Sequence, residues 1–195
     1  MQQEDGSWFR RGGYTGNFYD TAWAGLGLMA TGDKRYDKAI HKAAKYLAFF
    51  GGNDHWAVPG STVLTFLAEY WLRYQDDRIL PAIEVWKDRL VSRCLLPDMV
   101  AGHGTTPGYA GGSVSIGGSA MCLALALTDL TPVEVEPNLV RKMLLKAQSM
   151  APDGYIPYGR RGTTVSLKPA LAKGSTYNGR HAPYLIASYL SGGPR

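Results

Sequence analysis

The chain has 195 residues, of which 45% are hydrophobic and 19% are charged. This composition fits one globular domain, residues 1–195, with a sizeable core, and it excludes a chain that is disordered throughout. No apolar run approaches the roughly 20 residues that a membrane span needs, and the residues after Met1 do not form a signal-peptide pattern. We therefore expect neither a membrane span nor a secretory signal in this chain, and the cellular compartment stays open.

The net charge is +5, and the excess of basic over acidic residues is unevenly distributed along the chain. No acid follows Asp153, whereas six Lys and Arg residues do. Such a basic segment either lies solvated at the surface or attracts an anionic ligand, because unpaired cations raise the local concentration of anions. No helix-turn-helix, zinc-finger or RNA-binding pattern accompanies it, so we expect no nucleic-acid partner.

The cysteines and histidines do not indicate a metal site. Cys94 and Cys122 have apolar neighbours and are predicted to be buried free thiols. The four histidines are scattered and form no CxxC, HxxxH or HExxH signature with each other or with the cysteines. We predict no metal and no cofactor.

Seven segments carry helical patterns of two kinds. The first, third, fifth and seventh are small or apolar on every face, which is typical of buried helices. The second, fourth and sixth have one apolar and one charged face, which is typical of half-exposed helices. In chain order the segments are 18–30, 36–50, 61–74, 77–95, 114–127, 138–150 and 181–190. No strand pattern of period two is evident between them.

This alternation predicts an all-α fold built from two layers of helical hairpins. The apolar helices would form the inner layer, and the amphipathic helices would form the outer layer against water. The expected architecture is an α/α toroid or solenoid. Ser61 is a possible N-cap of the third helix, and Gly51 and Gly52 are expected to end the second.

A short motif occurs twice in the chain. The segments 3–8 and 148–158 share a Gln, an Asp-Gly pair and an aromatic residue. Asp-Gly makes a tight turn, a Gln amide can satisfy backbone groups at a helix end, and an aromatic ring covers the seam between hairpins. Repetition of this kind indicates stacked structural units.

These elements resemble the repeat motif of the terpenoid cyclase and protein prenyltransferase α/α toroids. The segments 14–23, 59–62, 103–104 and 108–112 are most similar to a large uncharacterised bacterial toroid family related to those enzymes. The resemblance spans nearly the whole chain and implies the toroid fold. It does not specify an activity, because the same toroid also carries lyases, thioester domains and proteins with no known reaction.

By this resemblance, the segment Asn17-Phe-Tyr-Asp-Thr-Ala22 corresponds to the catalytic motif of the cyclases. Squalene-type and class II diterpene cyclases protonate an alkene with the middle Asp of an Asp-x-Asp-Asp-Thr-Ala motif, and here Tyr19 stands at that position and Asp20 follows it. A tyrosine hydroxyl, with a pKa of about 10, is a far weaker acid than a carboxyl group with a pKa of about 4. Class II cyclase chemistry is therefore not expected. Asp20 either takes part in another reaction or caps or braces the inner helix near its N-terminus, where the helix dipole favours a negative charge.

The other enzymes of that superfamily have no counterpart motif in this sequence. The Asp, Cys and His that bind zinc in prenyltransferases are not evident as a set, and the Cys-Gly-Glu-Gln element of thioester domains is absent. Asp76 and Asp77 are followed by Arg78 rather than by further acids. We predict that they cap an outer helix instead of binding the metal of a class I synthase.

The candidate site residues lie mainly in the loops before the inner helices, because in a toroid these loops converge on one mouth of the central cavity. A His beside an aromatic or cationic residue can do acid/base chemistry or bind a sugar or a carboxylate, although each His alone also fits an ordinary loop hydrogen bond. The candidates for catalysis are Asp20, His55, His103 and His181, and those for ligand binding are Tyr19, Trp56, Tyr109, Tyr158 and Arg180.

Three functions are compatible with these features. The first is a terpenoid-cyclase-like toroid domain whose aromatic- and histidine-lined cavity binds a small or polymeric ligand. The second is a lyase or hydrolase acting on an acidic glycan, and the third is a helical-repeat scaffold for protein partners. Seven helices make an incomplete toroid, so we expect either a piece of a longer protein or self-association through apolar flanks on the first and last hairpins.

Overall fold

The structure is a computed structural model that describes residues 1–8, 16–49, 56–97, 99, 101, 112–149, 159–161, 164–166 and 181–192. Within these ranges it contains seven α-helices and three short β-strands. The helices are α1 (Gly16–Ala30), α2 (Asp37–Phe49), α3 (Ala57–Tyr74), α4 (Leu80–Cys94), α5 (Ser115–Thr128), α6 (Leu139–Ser149) and α7 (His181–Leu190). The strands are β1 (Gly112–Val114), β2 (Gly159–Arg161) and β3 (Thr164–Ser166). The predicted all-α class is confirmed.

The apolar helices pack side by side in chain order, as a row that we call the inner row. In this row α1 packs on α3, α3 on α5, and α5 on α7. The amphipathic helices α2, α4 and α6 pack on α1, α3 and α5 respectively. Each amphipathic helix buries a single face; in α2 that face consists of Ile40, Ala43, Ala44 and Leu47.

The helices of the inner row run in the same direction. Near the end of α3, Arg73 donates a hydrogen bond of 2.8 Å to the carbonyl oxygen of Met29, one residue from the end of α1. In the first turns of α5 and α7, Gly118 lies against the hydroxyl group of Tyr184. Equivalent ends of neighbouring inner helices therefore lie together.

The helix α4 shows that α3 and α5 also begin at the same end. Gly60 in the first turn of α3 faces Leu90 near the end of α4, so these two helices are antiparallel. After α4, Leu95 pairs with Ala101, which lies near Gly118 in the first turn of α5. The four inner helices thus start at one end of the row.

Glycines let the inner helices approach closely. A Cβ atom on Gly25 of α1 would lie 2.3 Å from Cε2 of Phe66 in α3. A Cβ atom on Gly118 of α5 would lie 2.6 Å from the hydroxyl oxygen of Tyr184 in α7. In both junctions a glycine receives an aromatic ring from the next helix of the row, which only a residue without a side chain permits.

Two turns between inner and outer helices are built alike. Asp33 and Asp76 each accept a hydrogen bond from the backbone N–H two residues later, and the Arg at that position, Arg35 or Arg78, folds its guanidinium back on the same carboxylate. The two turns lie 43 positions apart in the sequence. Asp76 caps the short 3-10 turn Asp77–Ile79 that leads into α4, whereas Asp77 accepts a hydrogen bond from Trp71 instead of capping the helix, so the capping prediction is correct for Asp76 only. Successive hairpins repeat the same turn.

Two helices begin earlier than we predicted. Because α3 begins at Ala57, its N-cap is Trp56, and Ser61 lies buried inside the helix with its hydroxyl group unpaired. We did not predict this first turn because it contains Pro59, and a proline usually breaks a helix. A proline is tolerated in the first turn, since the first N–H groups of a helix have no partner within it. Because α1 begins at Gly16, Asp20 lies in its second turn and does not cap it, which corrects the capping alternative and leaves that of bracing the helix near its N-terminus.

The loop that contains the Asp-Gly motif at the start of the chain is hydrogen-bonded to α2 and α1. Gln2, rather than the predicted Gln3, donates hydrogen bonds to the carbonyl oxygens of Gly6 (2.9 Å) and of Ala39 in α2 (2.8 Å). The backbone N–H of Trp8 donates to Oγ1 of Thr21 in α1 at 2.8 Å. Of the second copy of the motif, only residues 148 and 149 lie within the described residues.

The three strands form a small antiparallel sheet in the order β1-β2-β3, in which Ser113 of β1 lies opposite Arg160 of β2. We predicted no strand from the sequence. Strands of three residues are too short to show the alternation of period two that identifies a strand. Since β1 leads directly into α5, the sheet lies at the end where the inner helices begin.

Replacing Gly25 with Ala should destabilise the protein, because the new methyl group would overlap the ring of Phe66. Overpacking of this kind costs about 1–3 kcal/mol. The matched control is Gly27→Ala in the same helix, where a Cβ atom would meet nothing within 4 Å and should be neutral or stabilising by up to about 1 kcal/mol. Urea denaturation of both variants measures the difference, and equal midpoints would contradict close packing at Gly25.

Candidate functional site

The described residues include four of the nine candidate positions. Tyr19 and Asp20 lie in α1, Trp56 directly precedes α3, and His181 is the first residue of α7. The other candidates lie outside the described residues: His55, His103, Tyr109, Tyr158 and Arg180.

The four described candidates lie at the end of the molecule where the inner helices begin. We call this end, formed by the first two turns of α1, α3, α5 and α7, the rim. Trp56 is half-buried there, with an extended backbone that turns into α3. The four described candidates therefore share one end of the molecule, although the helices that contribute them are far apart in the chain.

Asp20 is the acidic residue of the rim in α1. Its side chain is half-buried, and none of the described residues forms a hydrogen bond or an ion pair with it in the structure. Tyr19 beside it is also half-buried, and its ring meets the ring of Trp23 edge to face with 6.3 Å between the centroids. A carboxylate and two aromatic rings therefore lie together on α1 near the rim.

Two basic residues of the sheet lie in the strand next to β1, at the same end of the molecule as the rim. Arg160 and Arg161 lie in β2, and β2 pairs with β1 directly before α5. The backbone N–H groups at the start of a helix are unpaired, and the helix dipole makes that end partially positive. The starts of α1, α3, α5 and α7 thus lie at the same end as the strand that contains the two consecutive arginines.

A second group of polar side chains lies at the opposite end, around the turns between inner and outer helices. We call it the hairpin-turn cluster; its members are Asp37, His41, Tyr70, Arg73, Tyr74, Asp76 and Arg78. Of this group, only Asp76 and Arg78, together with the neighbouring Asp77, were identified from the sequence. The repeated Asp-x-Arg spacing, 43 positions apart, is the signal that could have found part of it.

Tyr70 is the centre of this cluster. Its hydroxyl group donates to Oδ2 of Asp76 at 3.2 Å and lies 2.8 Å from Nδ1 of His41. Burial, together with the nearby charge of Asp76, raises the pKa of Tyr70 to about 12, so the hydroxyl group keeps its proton. The hydroxyl group thus donates its hydrogen to Asp76, and the direction of its hydrogen bond with Nδ1 of His41 depends on the tautomer of the imidazole.

Arg78 neutralises the carboxylate of Asp76. The guanidinium group donates from Nε to Oδ1 at 2.7 Å and from Nη2 to Oδ2 at 2.8 Å. This paired hydrogen bond, followed by smaller contributions from the Arg78 backbone N–H and Tyr70, lowers the pKa of Asp76 to about 2.

The rest of the cluster ties three helices together. Tyr74 of α3 donates to Oδ1 of Asp37 in α2 at 2.6 Å, and the guanidinium carbon of Arg73 lies 5.3 Å from the centroid of the Tyr74 ring. Arg73 also donates to the last turn of α1 through Met29. The polar groups of this cluster are engaged with one another, so its role is to hold the hairpin turns in place.

Replacing Asp76 with Asn should weaken the dependence of stability on acid. Because the pKa of Asp76 is lowered from 3.8 to about 2 in the folded protein, its charge stabilises the fold above about pH 4, and this stabilisation is lost as the pH falls toward 2. Melting temperatures between pH 6 and pH 2, read by circular dichroism, should therefore fall less steeply for Asp76→Asn than for the natural sequence. The control Asp129→Asn removes an exposed acid directly after α5 and so measures the effect of losing one negative charge at a site without this pairing. An unchanged slope for Asp76→Asn would contradict the pairing with Arg78.

The described residues give no evidence of a metal site or of a membrane span. Among them, no group of three or more His, Cys, Asp or Glu side chains is arranged to hold a metal ion. None of the described helices is long and apolar enough to cross a bilayer. Cys94 and Cys122 are buried and form no disulfide, in agreement with the prediction, and burial raises the pKa of Cys122 to about 12, so it is protonated and unreactive.

Comparison with known proteins gives a family but no activity. No curated protein and no solved structure matches the chain. One family model, described as a domain of unknown function (DUF6288), matches residues 3–180. Because this match covers most of the 195 residues, the chain belongs to the DUF6288 family.

Proposed function

We propose that this protein is a ligand-binding domain of the terpenoid-cyclase-like α/α toroid type, and that its ligand binds at the rim. The observation that carries the proposal is the common direction of the inner helices, which gathers their first turns at one end. Helices that alternate between an apolar inner row and an amphipathic outer layer are what a toroid requires. The toroid resemblance of the Asp-Gly motif and of residues 14–23 supports the same assignment.

The chemistry of the rim favours an anionic ligand. Helix starts contribute unpaired N–H groups, and β2 contributes the positions of Arg160 and Arg161. The sequence after Asp153 contains no acid that could neutralise these arginines locally. The aromatic residues Tyr19 and Trp56 near the same end suit a ligand with apolar faces as well as charge, such as a carboxylated sugar ring.

The second candidate function is an enzyme that cleaves an acidic glycan. The β1-β2 register favours it, because this register brings basic residues beside the start of α5. Asp20 is the described carboxylate that could serve as its acid or base, since no described residue is bonded to it. A lyase or a hydrolase would share the binding site of the lead proposal and differ only in turnover.

Calorimetric titration with an oligogalacturonate tests the proposal. We expect heat from binding, weakening as salt is added, and none from a neutral glucan of the same length. Consecutive residues of a strand face opposite sides, so removing both arginines removes the one on the side of the ligand, which can form charge-assisted hydrogen bonds to a carboxylate. The double substitution Arg160→Gln with Arg161→Gln should therefore weaken binding by about tenfold or more. The absence of heat with anionic oligosaccharides, or an unchanged affinity in the double variant, would contradict an anion site at the rim.

A second double variant at the opposite end provides the matched control. Arg35→Gln with Lys38→Gln removes the same charge from exposed positions beside the first hairpin turn and should leave the affinity unchanged. An equal loss in both double variants would indicate a non-specific effect of net charge.

New reducing ends or an unsaturated product during incubation would distinguish the enzyme from the binding domain. If turnover occurs, Asp20→Asn should reduce the rate more than the affinity, since the amide keeps the shape of the carboxyl group but cannot exchange a proton. Binding without any product would leave the lead proposal in place and exclude the second candidate for that glycan.

A further inference from the structure

We propose that a ligand bound at the rim continues along the inner helix α3, where Glu69 accepts hydrogen bonds from its hydroxyl groups. The contact surface consists of Val58, Thr65 and Glu69, which we call the α3 stripe. The ligand is a sugar chain of the kind proposed above, so this inference rests on the proposed function. It adds a second contact surface and a residue that distinguishes long chains from short ones.

The α3 stripe consists of the residues that helix packing leaves partly uncovered. Between Ala57 and Tyr70, every residue of α3 is buried except Val58, Thr65 and Glu69, which are half-buried. These three follow one another at seven and four positions, so they point within about 40° of one another around the helix. They therefore form one line along α3.

The α3 stripe faces away from the outer layer. Gly60 marks the side of α3 that packs on α4, because a Cβ atom there would lie 3.0 Å from Cδ2 of Leu90. Glu69 follows Gly60 by nine residues, which is two and a half turns, so it lies on the opposite side of the helix. The stripe therefore belongs to the face of the inner row that α4 does not cover.

The carboxylate of Glu69 is recessed compared with the acids of the outer layer. Glu84 and Asp88 of α4 are exposed, whereas Glu69 is half-buried although no outer helix covers its side of α3. Water screens a half-buried charge less than an exposed one. Hydrogen bonds that a ligand makes to Glu69 are therefore stronger than those it could make to an acid of the outer layer.

Glu69 has no partner among the described residues, although a suitable cation lies close in the sequence. Arg73 follows it by four positions, the spacing at which Glu and Arg pair on a helix. However, Arg73 donates to the carbonyl oxygen of Met29 at 2.8 Å and lies 3.8 Å from the carboxylate of Asp37. The hairpin-turn cluster thus engages the only basic residue of α3 and leaves the oxygens of Glu69 free to accept hydrogen bonds.

Packing of the hairpins does not require a charge at this position. Leu26 of α1 precedes Glu69 by 43 positions, the same separation as between the matching turns at Asp33 and Asp76. Leu26 is also half-buried. Because an apolar side chain occupies the equivalent place in the first hairpin, the carboxylate of Glu69 has a role other than packing.

The chemistry and the length of the α3 stripe suit a chain of sugars. An ionised carboxylate only accepts hydrogen bonds, so its partner must be a donor, and sugar rings present many hydroxyl donors. Val58 lies in the first turn of α3 and hence at the rim, and Glu69 lies about 16 Å further along the helix. A chain held at the rim by its carboxylates therefore reaches Glu69 only when it extends over several units.

Calorimetric titration with a dimer and with a long oligomer of galacturonate tests the inference. Glu69→Leu should weaken binding of the long oligomer by about tenfold, because charge-assisted hydrogen bonds are lost, and should leave binding of the dimer unchanged. Glu69→Gln should lose less affinity for the long oligomer, because its amide oxygen still accepts a hydrogen bond. Circular dichroism verifies that both variants fold, as expected because Leu26 occupies the equivalent place.

The direction of the change identifies the contact. Removing a negative charge should by itself strengthen binding to an anionic chain. A long oligomer that binds Glu69→Leu as tightly as the natural sequence, or more tightly, would overturn the inference and leave binding at the rim in place. A natural sequence that binds neither length would instead contradict the proposed function, and this inference with it.

The matched control is Glu84→Leu, which makes the same change at an exposed position of the outer helix α4. It should not weaken binding of either oligomer. An equal loss of affinity in Glu84→Leu and Glu69→Leu would contradict the assignment of the contact to the α3 stripe.

Discussion

The arrangement of this protein depends on how closely its apolar helices approach one another. Gly25 and Gly118 each face an aromatic ring of the next inner helix at a distance that no side chain could share. Such contacts set both the spacing of the row and the level at which neighbouring helices meet. Because Gly118 and Tyr184 both lie in first turns, their contact also aligns the starts of α5 and α7. The rim is thus a consequence of packing inside the row.

The number, order and character of the helices could be predicted from the sequence, because a buried helix face requires apolar residues at regular helical spacing. The alternation of apolar and amphipathic segments corresponds to the inner row and to the helices packed on it. The pattern could not predict which glycine packs against an aromatic ring of the next helix, since Gly25 and Gly27 look equivalent in the sequence and differ only in their surroundings. The strands were missed because three residues are too few for a pattern, and the start of α3 was missed because Pro59 resembles a helix breaker.

The rim and the hairpin-turn cluster differ in how many of their polar side chains already have hydrogen-bond or ion-pair partners. In the hairpin-turn cluster, Asp76 has Arg78 and Tyr70 as partners, and Asp37 has Tyr74. Groups held in this way have lost the freedom to bind a ligand without breaking existing bonds, and removing a partner would leave a costly unpaired group. Asp20 at the rim has no such partner among the described residues. A binding or catalytic role therefore fits the rim better than the cluster, although the cluster contains more ionisable side chains.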